Sequence, residues 1–166
     1  YNAVKRRLIS DVPLGSFLSG GVDSSAVVGM MAKVNQIPVK TFTIGYEEAD
    51  YSEADDARFV ANHFGTTHEE LIINPSSVDI FPDLIWHFDE PFGDASAVST
   101  YYVSKMARDF VTVILSGDGG DELFAGYTRY QRMDQFDRYR KMPDWMKKKV
   151  LNPLAHSLPL NFPGRN

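Results

Sequence analysis

Short apolar runs alternate along the chain with stretches in which apolar positions recur every three to four residues, a pattern of strands interleaved with helices. The runs at 15–18, 39–44, 68–73 and 111–115 predict four strands. Helical spacing predicts a helix over 23–34, with Val27, Val28, Met30 and Met31 at its apolar positions, ending before Pro38. A second helix starts at an N-cap, Ser52, with Asp55 three residues on in the manner of a capping box, and Gly65 closes it. Further helices are predicted over 77–88, which Pro82 kinks or restarts, over 96–108 and over 121–130, and a basic amphipathic helix end occupies 4–9. Gly45 is expected to stop the second strand, and the run Val111-Thr112-Val113-Ile114-Leu115 reads as a strand buried on both faces. Strands alternating with helices imply a doubly wound α/β fold, a mainly parallel sheet with helices on both faces.

Two glycine turns follow two of these strands. Ser19-Gly20-Gly21-Val22-Asp23-Ser24-Ser25 leads from strand to helix, where unpaired backbone N–H groups and the helix dipole favour an anion. Gly20 and Gly21 let the backbone approach phosphate oxygens, and Ser19, Ser24 and Ser25 supply hydroxyls. Asp23 repels phosphate unless a divalent cation lies between them. The competing reading is an ordinary strand-to-helix turn with a polar cap. Neither GxxxxGK[ST] nor GxGxxG is present in this turn. Ser116-Gly117-Asp118-Gly119-Gly120-Asp121-Glu122 repeats the arrangement after the strand at 111–115, its plainer alternative being a glycine-rich turn or C-cap. In an open parallel sheet ligands lie at the carboxyl ends of the strands, so both loops are expected to face one crevice and Asp23 and Asp121 to share Mg²⁺ with a triphosphate.

Composition narrows the setting. The chain has 166 residues, 43% hydrophobic, enough for one core. A net charge of −5 favours neither nucleic acid nor an anionic membrane as partner. With no cysteine there is no disulfide, zinc thiolate or cysteine nucleophile in these residues. No apolar run reaches the ~20 residues of a membrane helix and the start has no signal-peptide core, so a cytoplasmic protein is expected. The chain starts at Tyr1 without methionine and reads as a piece of a longer one.

The turn SGGVDSS resembles the pyrophosphatase loop of the PP-loop ATP pyrophosphatases. Together with Asp11-Val12-Pro13-Leu14-Gly15, Thr41-Phe42-Thr43-Ile44-Gly45, Asp89-Glu90-Pro91 and the stretch from Leu115 through Ser116-Gly117-Asp118-Gly119-Gly120-Asp121 to Tyr127, it is similar to glutamine-dependent asparagine synthetase, over about residues 4–132. The resemblance implies an adenine nucleotide alpha hydrolase-like fold and an ATP-dependent ligase with Mg²⁺. The aspartate side-chain carboxylate is adenylated to β-aspartyl-AMP with release of pyrophosphate, and ammonia drawn from glutamine then yields asparagine. Carried over by position, the Ser19–Ser25 loop holds pyrophosphate, Phe17, Ile44 and Gly45 lie near the adenine, and Ser116 and Gly117 contact the nucleotide. Asp23 and Asp121 match the metal-binding acids, and Asp118 stands where many members have glutamate, one methylene longer, in the acyl-adenylate step. On this resemblance 1–142 is the first part of the synthetase domain and 143–166 a basic, proline-containing boundary segment. The family's N-terminal glutaminase domain and a later phosphate-contacting lysine are not in these residues, so the isolated chain is expected to be inactive. Other acceptors, as in β-lactam synthetases, and a nucleotide-binding module without turnover remain alternatives.

Several features read as plain structure. His63, His68 and His87 lack metal-ligand spacing. Trp86, Phe88 and Phe92 are expected to pack on the sheet, and the acids Glu47, Glu48, Asp50, Glu53, Asp55 and Asp56 to face solvent. Ser96, Ser99 and Thr100 begin a helix near the expected crevice, either as plain helix residues or with a share in aspartate binding. The basic residues Arg138, Arg140, Lys141 and Lys147–Lys149 read as an exposed helix, with a phosphate or RNA patch as the alternative. Around Trp145 and Leu158 an apolar patch is expected, covered by self-association into a homodimer if nothing else packs on it.

Overall fold

The structure, a computed structural model, describes residues 1–47, 52–73, 80–91, 93–94 and 96–151. The expectations for Glu48, Asp50, residues 77–79, Phe92, Ala95 and the tail beyond 151, Leu158 included, lie outside the described residues. The chain forms two compact units, Tyr1–Gly119 and Gly120–Asn166. The first contains α1 (Asn2–Arg7), β1 (Leu14–Phe17), α2 (Val22–Val34), β2 (Lys40–Tyr46), α3 (Ala54–Phe64), β3 (Thr67–Ile73), α4 (Phe81–Phe88), α5 (Ser96–Arg108) and β4 (Val113–Leu115). The second contains α6 (Gly120–Phe124), α7 (Thr128–Lys141), α8 (Asp144–Met146) and a π-helical turn, Lys147–Leu151. Among the described residues no helix is long and apolar enough to cross a membrane.

The four strands form one sheet in the order β3-β2-β1-β4, every pair parallel. Side chains of successive strand residues point to opposite faces, and Phe17 and Leu18 divide accordingly between two cores. Leu18 packs with Val28 of α2 and with Ala57 and Ala61 of α3; Phe17 packs against Phe42, Val111 and Val103 and Ala107 of α5. Helices therefore cover both faces, as the doubly wound expectation requires. Val28 and Met31, three residues apart, supply the buried stripe of α2, while the alanines at 54, 57 and 61 give α3 a narrow one. At its end Gly65 adopts φ 63°, the left-handed closure expected there.

Several local expectations are corrected. Gly45 lies inside β2, where a Cβ would meet Ile72 Cδ1 at 2.5 Å and Ala54 Cβ at 3.0 Å, so the glycine serves close helix packing and not a stop. Ser52 accepts from the Tyr46 and Ala54 N–H groups at 3.4 Å, and the N-cap of α3 is Glu53 without a side-chain cap, so the capping box does not form. Pro82, by contrast, agrees with the expected restart of a helix: it lies in the first turn of α4, the position where its missing N–H costs nothing. β4 is shorter than the apolar run and, among the described residues, pairs only with β1; Val113 is exposed, so there it is an edge strand and not one buried on both faces. Trp86 is 80% exposed and Phe88 is exposed too, because α4 turns Leu84 inward instead. The expected helix 121–130 is two helices, α6 and α7, broken where Ala125 takes φ 58°. α7 carries Arg138, Arg140 and Lys141 on exposed positions, as expected of a solvated helix.

One polar cluster on the sheet couples a histidine to the stability of the fold. Thr41 Oγ1 bonds Thr66 Oγ1 at 2.8 Å and His68 Nδ1 at 2.9 Å, and His68 Nε2 is buried without a partner among the described residues. Burial lowers the His68 pKa, outweighing Glu70 and Glu69, which raise it, while Arg58 lowers it further. Neutral His68 is thus the folded form, and as pH falls below its ordinary 6.5 the unfolded chain takes the proton first. Thermal unfolding between pH 7 and pH 5 should show a loss of stability in this window that is smaller in His68→Gln.

Candidate functional site

The strand order makes a topological switch between β1 and β4. From β1 the chain winds outward through β2 to β3, then returns to the opposite side of β1 as β4. Connections leaving β1 and β4 at their carboxyl ends diverge at such a point and leave a crevice between them. The loops that leave there are the two glycine turns. Ser16 ties the strands together, its buried Oγ donating to the Leu115 carbonyl at 2.9 Å, and the Ser16–Leu115 register sets both turns at the same height.

The first turn is closed by its own side chains. Ser24, 8% exposed, uses its whole hydroxyl: Oγ accepts from the Ser19 N–H at 3.2 Å, lies 3.0 Å from the Ser19 hydroxyl and donates to the Gly21 carbonyl at 3.2 Å. Ser19 Oγ also accepts from the Gly21 N–H at 3.3 Å. Gly20 takes φ 80°, where a Cβ would also lie 2.5 Å from Asp56 Cβ and 2.7 Å from the Ala57 nitrogen. The loop is thus seated on the first turn of α3, a neighbour that sequence spacing did not single out. Gly21 is the N-cap of α2 and, among the described residues, no side chain caps that end, so its first-turn N–H groups keep their capacity for a ligand. Asp23 sits half-buried in that turn, and Ser25 Oγ is buried without a partner among the described residues.

The second turn comes directly against the first. A Cβ on Gly117 would lie 2.8 Å from the Ser24 nitrogen and 3.1 Å from the Asp23 carbonyl carbon, so the loop after β4 rests its backbone on the start of α2. Ser116 Oγ donates to Asp118 Oδ2 at 2.7 Å, orienting that exposed carboxylate. Gly119, φ 84°, ends the first unit. Phe17, Ile44 and Gly45 lie toward the ends of β1 and β2; Phe17 and Ile44 are half-buried against the Phe42 cluster. Thr43 of β2 donates through Oγ1 to the Leu18 carbonyl, joining the two strand ends. The structure thus brings Ser19, Gly20, Gly21, Asp23, Ser24, Ser116 and Gly117 together in the first unit. Asp121 lies in the second, half-buried in the first turn of α6.

The model of the family described as Asparagine synthase matches residues 1–162. The chain belongs to the asparagine synthase family. It is 44% identical over 166 residues to a relative from Methanocaldococcus jannaschii, covering 94% of this chain, and 40% identical over 156 residues to the glutamine-hydrolyzing asparagine synthetase 1 of Bacillus subtilis, covering 93%. The chain spans only 32% and 24% of the length of these two relatives. Among solved structures it is similar to the NMN synthetase of Francisella tularensis, with a TM-score of 0.52 and 16% identity over 76% of this chain and 54% of that one. That likeness is one of fold, the adenine nucleotide alpha hydrolase-like arrangement of a parallel sheet with helices.

The Gly117 contact is directly testable. Gly117→Ala pushes backbone against backbone, and the two loops must part by several tenths of an ångström. Amide hydrogen exchange at residues 22–25 and 116–118 should be faster in this variant than in the parent protein.

Proposed function

We propose that this chain is the ATP-binding part of an amide-forming ligase of the asparagine synthetase kind. The observation that carries the proposal is the contact of the two glycine turns at the switch point between β1 and β4, with the uncapped N-terminus of α2 beneath them. The N–H groups of the Ser19–Asp23 turn and the α2 dipole hold the departing pyrophosphate, Phe17, Ile44 and Gly45 border the adenine, and Ser116 and Gly117 hold the nucleotide near its reacting phosphate. A carboxylate oxygen of aspartate attacks the α-phosphorus, the bond to the bridging oxygen breaks, and pyrophosphate leaves β-aspartyl-AMP. Ammonia released from glutamine, by a part of the protein outside these residues, attacks the acyl carbon, and AMP departs with its electron pair. Asp118, whose carboxylate accepts from Ser116, takes part in the acyl-adenylate step on this reading.

The acids present suit a cation held chiefly by substrate. A Mg²⁺ that enters with ATP takes one or two protein carboxylates and fills its other positions with phosphate oxygens and water. Asp23 in the first unit and Asp121 in the second are each proposed as such a carboxylate from their places in the two glycine turns. When bound, the ion supplies charge neutralisation of the phosphates during transfer. Catalysis otherwise is positioning, so no nucleophile on the chain is needed. Incubating the intact protein with ATP, Mg²⁺, aspartate and ammonia tests the reading: equal amounts of pyrophosphate, AMP and asparagine are expected, and ADP with orthophosphate, or no nucleotide turnover, would refute it.

A further inference from the structure

Within the first unit, α4 and α5 enclose a cavity that the nucleotide reading leaves unused. Its volume is about 250 Å³, and its walls are Phe81, Leu84 and Ile85 on α4 and Ala97 and Val98 on α5, with Asp94 ahead of α5. Among the described residues that line it, none belongs to either glycine turn and Asp94 alone carries a charge. The cavity follows from the way α4 ends. Asp89 takes φ 60°, a left-handed close that Asp tolerates better than most residues, and Pro91 comes next but one, so the helix cannot continue. The chain then starts α5 at Ser96, and Asp94 fixes that start. Its Oδ1 accepts from the Ser96 N–H at 2.9 Å and its carbonyl from the Ala97 N–H at 3.2 Å. The Ser99 and Tyr46 hydroxyls bond each other, tying the same turn of α5 to the end of β2. Leu84 and Ala97 are buried while Phe81 and Ile85 stay 46% and 43% exposed, so the cavity opens to solvent along α4.

Charge decides what suits this space. Hydrogen bonds from Ser96, the backbone N–H first, hold the Asp94 carboxyl below its usual range, so the exposed group is an anion at neutral pH with room for a further donor. From residue 80 to residue 104 the sequence has the acids Asp83, Asp89, Glu90 and Asp94 and no lysine or arginine. Charge of one sign at the mouth of an apolar cleft attracts the opposite sign and repels its own. That separates the cavity from the acceptor carboxylate of the proposed adenylation and favours a cation with an apolar body. An apolar cavity of about 150 Å³ accommodates benzene, so this one takes a ring with a short arm, roughly ten non-hydrogen atoms. We propose that the α4–α5 cavity binds a small primary amine in its ammonium form, the apolar body against Leu84, Ile85 and Val98 and the nitrogen at the Asp94 carboxylate.

The test titrates phenethylamine, the uncharged phenethyl alcohol and the anion hydrocinnamate into the intact protein, with isoleucine, leucine and valine methyl groups labelled for nuclear magnetic resonance. The Leu84, Ile85 and Val98 methyl signals are expected to shift with the amine, to respond to the alcohol with an affinity roughly five-fold weaker, and to stay in place with the anion. Asp94→Asn keeps an oxygen to cap α5 and removes the charge, so the amine should fall to the affinity of the alcohol while the alcohol keeps its own. Should the melting temperature show Asp94→Asn to be unfolded, Asp94→Ser, which also offers a capping oxygen, takes its place. No amine-dependent shift at these methyls up to the solubility limit would overturn the proposal. Equal affinity for amine and alcohol, or an amine affinity untouched by loss of the Asp94 charge, would overturn it as well. Nucleotide is absent from every titration, so failure of the adenylation reading leaves these outcomes unchanged.

Discussion

Under the proposed adenylation, Asp23→Asn and Asp121→Asn are each expected to lower pyrophosphate release by the intact protein by roughly a hundred-fold or more, because a metal ion that neutralises a transferring phosphoryl group supplies several kcal/mol of transition-state stabilisation. Asparagine keeps the size of the side chain and removes only the charge. Asp23 sits half-buried in the first turn of α2, facing a loop whose backbone N–H groups would attract phosphate, and a carboxylate at that end of a helix is unfavourable beside an anion unless a cation intervenes. Folding survives in both variants: Asp23 and Asp121 each lie in the first turn of a helix, and neither is buried. Steady-state pyrophosphate assays at several Mg²⁺ concentrations, with circular dichroism to verify the fold, check the expectation. Near-normal release in either variant at saturating Mg²⁺ would end that residue's metal role.

Gly20→Ala is expected to do more damage than any other single change in the first loop. The residue has φ 80°, and an alanine Cβ would meet the Asp56 Cβ at 2.5 Å and the Ala57 nitrogen at 2.7 Å, atoms that belong to α3 and move only with it. Left-handed backbone costs a non-glycine residue about 1–2 kcal/mol and forcing atoms into a packed site about 1–3 kcal/mol, so a loss of roughly 2–5 kcal/mol follows. The loop cannot keep its Ser19–Ser24 closure while backing away from α3, so the proposed nucleotide binding is expected to fail together with stability. Denaturant unfolding and calorimetric titration of ATP with Mg²⁺ read the two effects. Gly21→Ala, where the nearest atom to a Cβ is Ser19 Oγ at 3.3 Å, serves as the milder comparison.

The order of strands and helices was readable because each element announces its period: Val28 and Met31 lie on one helical face, and the strand at 40–46 is bounded by Pro38 and the polar stretch after Tyr46. Glycines and caps were less transparent, since one residue type serves two purposes. Gly45 looked like a stop and is a point of close approach to α3, and Ser52 looked like a capping-box serine but bonds Tyr46 and Ala54. The break between α6 and α7 falls at Ala125, a residue with no compositional signal for positive φ. Trp86 was expected on the sheet because it is large and apolar, yet α4 has room for only Leu84. In the site, both glycine turns were visible as loops after apolar strands. Their contact was not, because it depends on β4 returning to the far side of β1, a fact of strand order and not of any local pattern. The seat of Gly20 on α3 was hidden for the same reason.

The central claim, activation of a carboxylate by adenylation across the two turns, predicts where an oxygen atom goes. With aspartate labelled with ¹⁸O in its side-chain carboxylate, and with ATP, Mg²⁺ and ammonia, the intact protein should place one labelled oxygen in the phosphate of AMP, because that oxygen attacks the α-phosphorus and leaves with AMP when ammonia displaces it. Mass spectrometry of the AMP reads this directly. One ¹⁸O in AMP with none in pyrophosphate is the predicted result; label in orthophosphate with ADP as the nucleotide product, or AMP free of label, would contradict it.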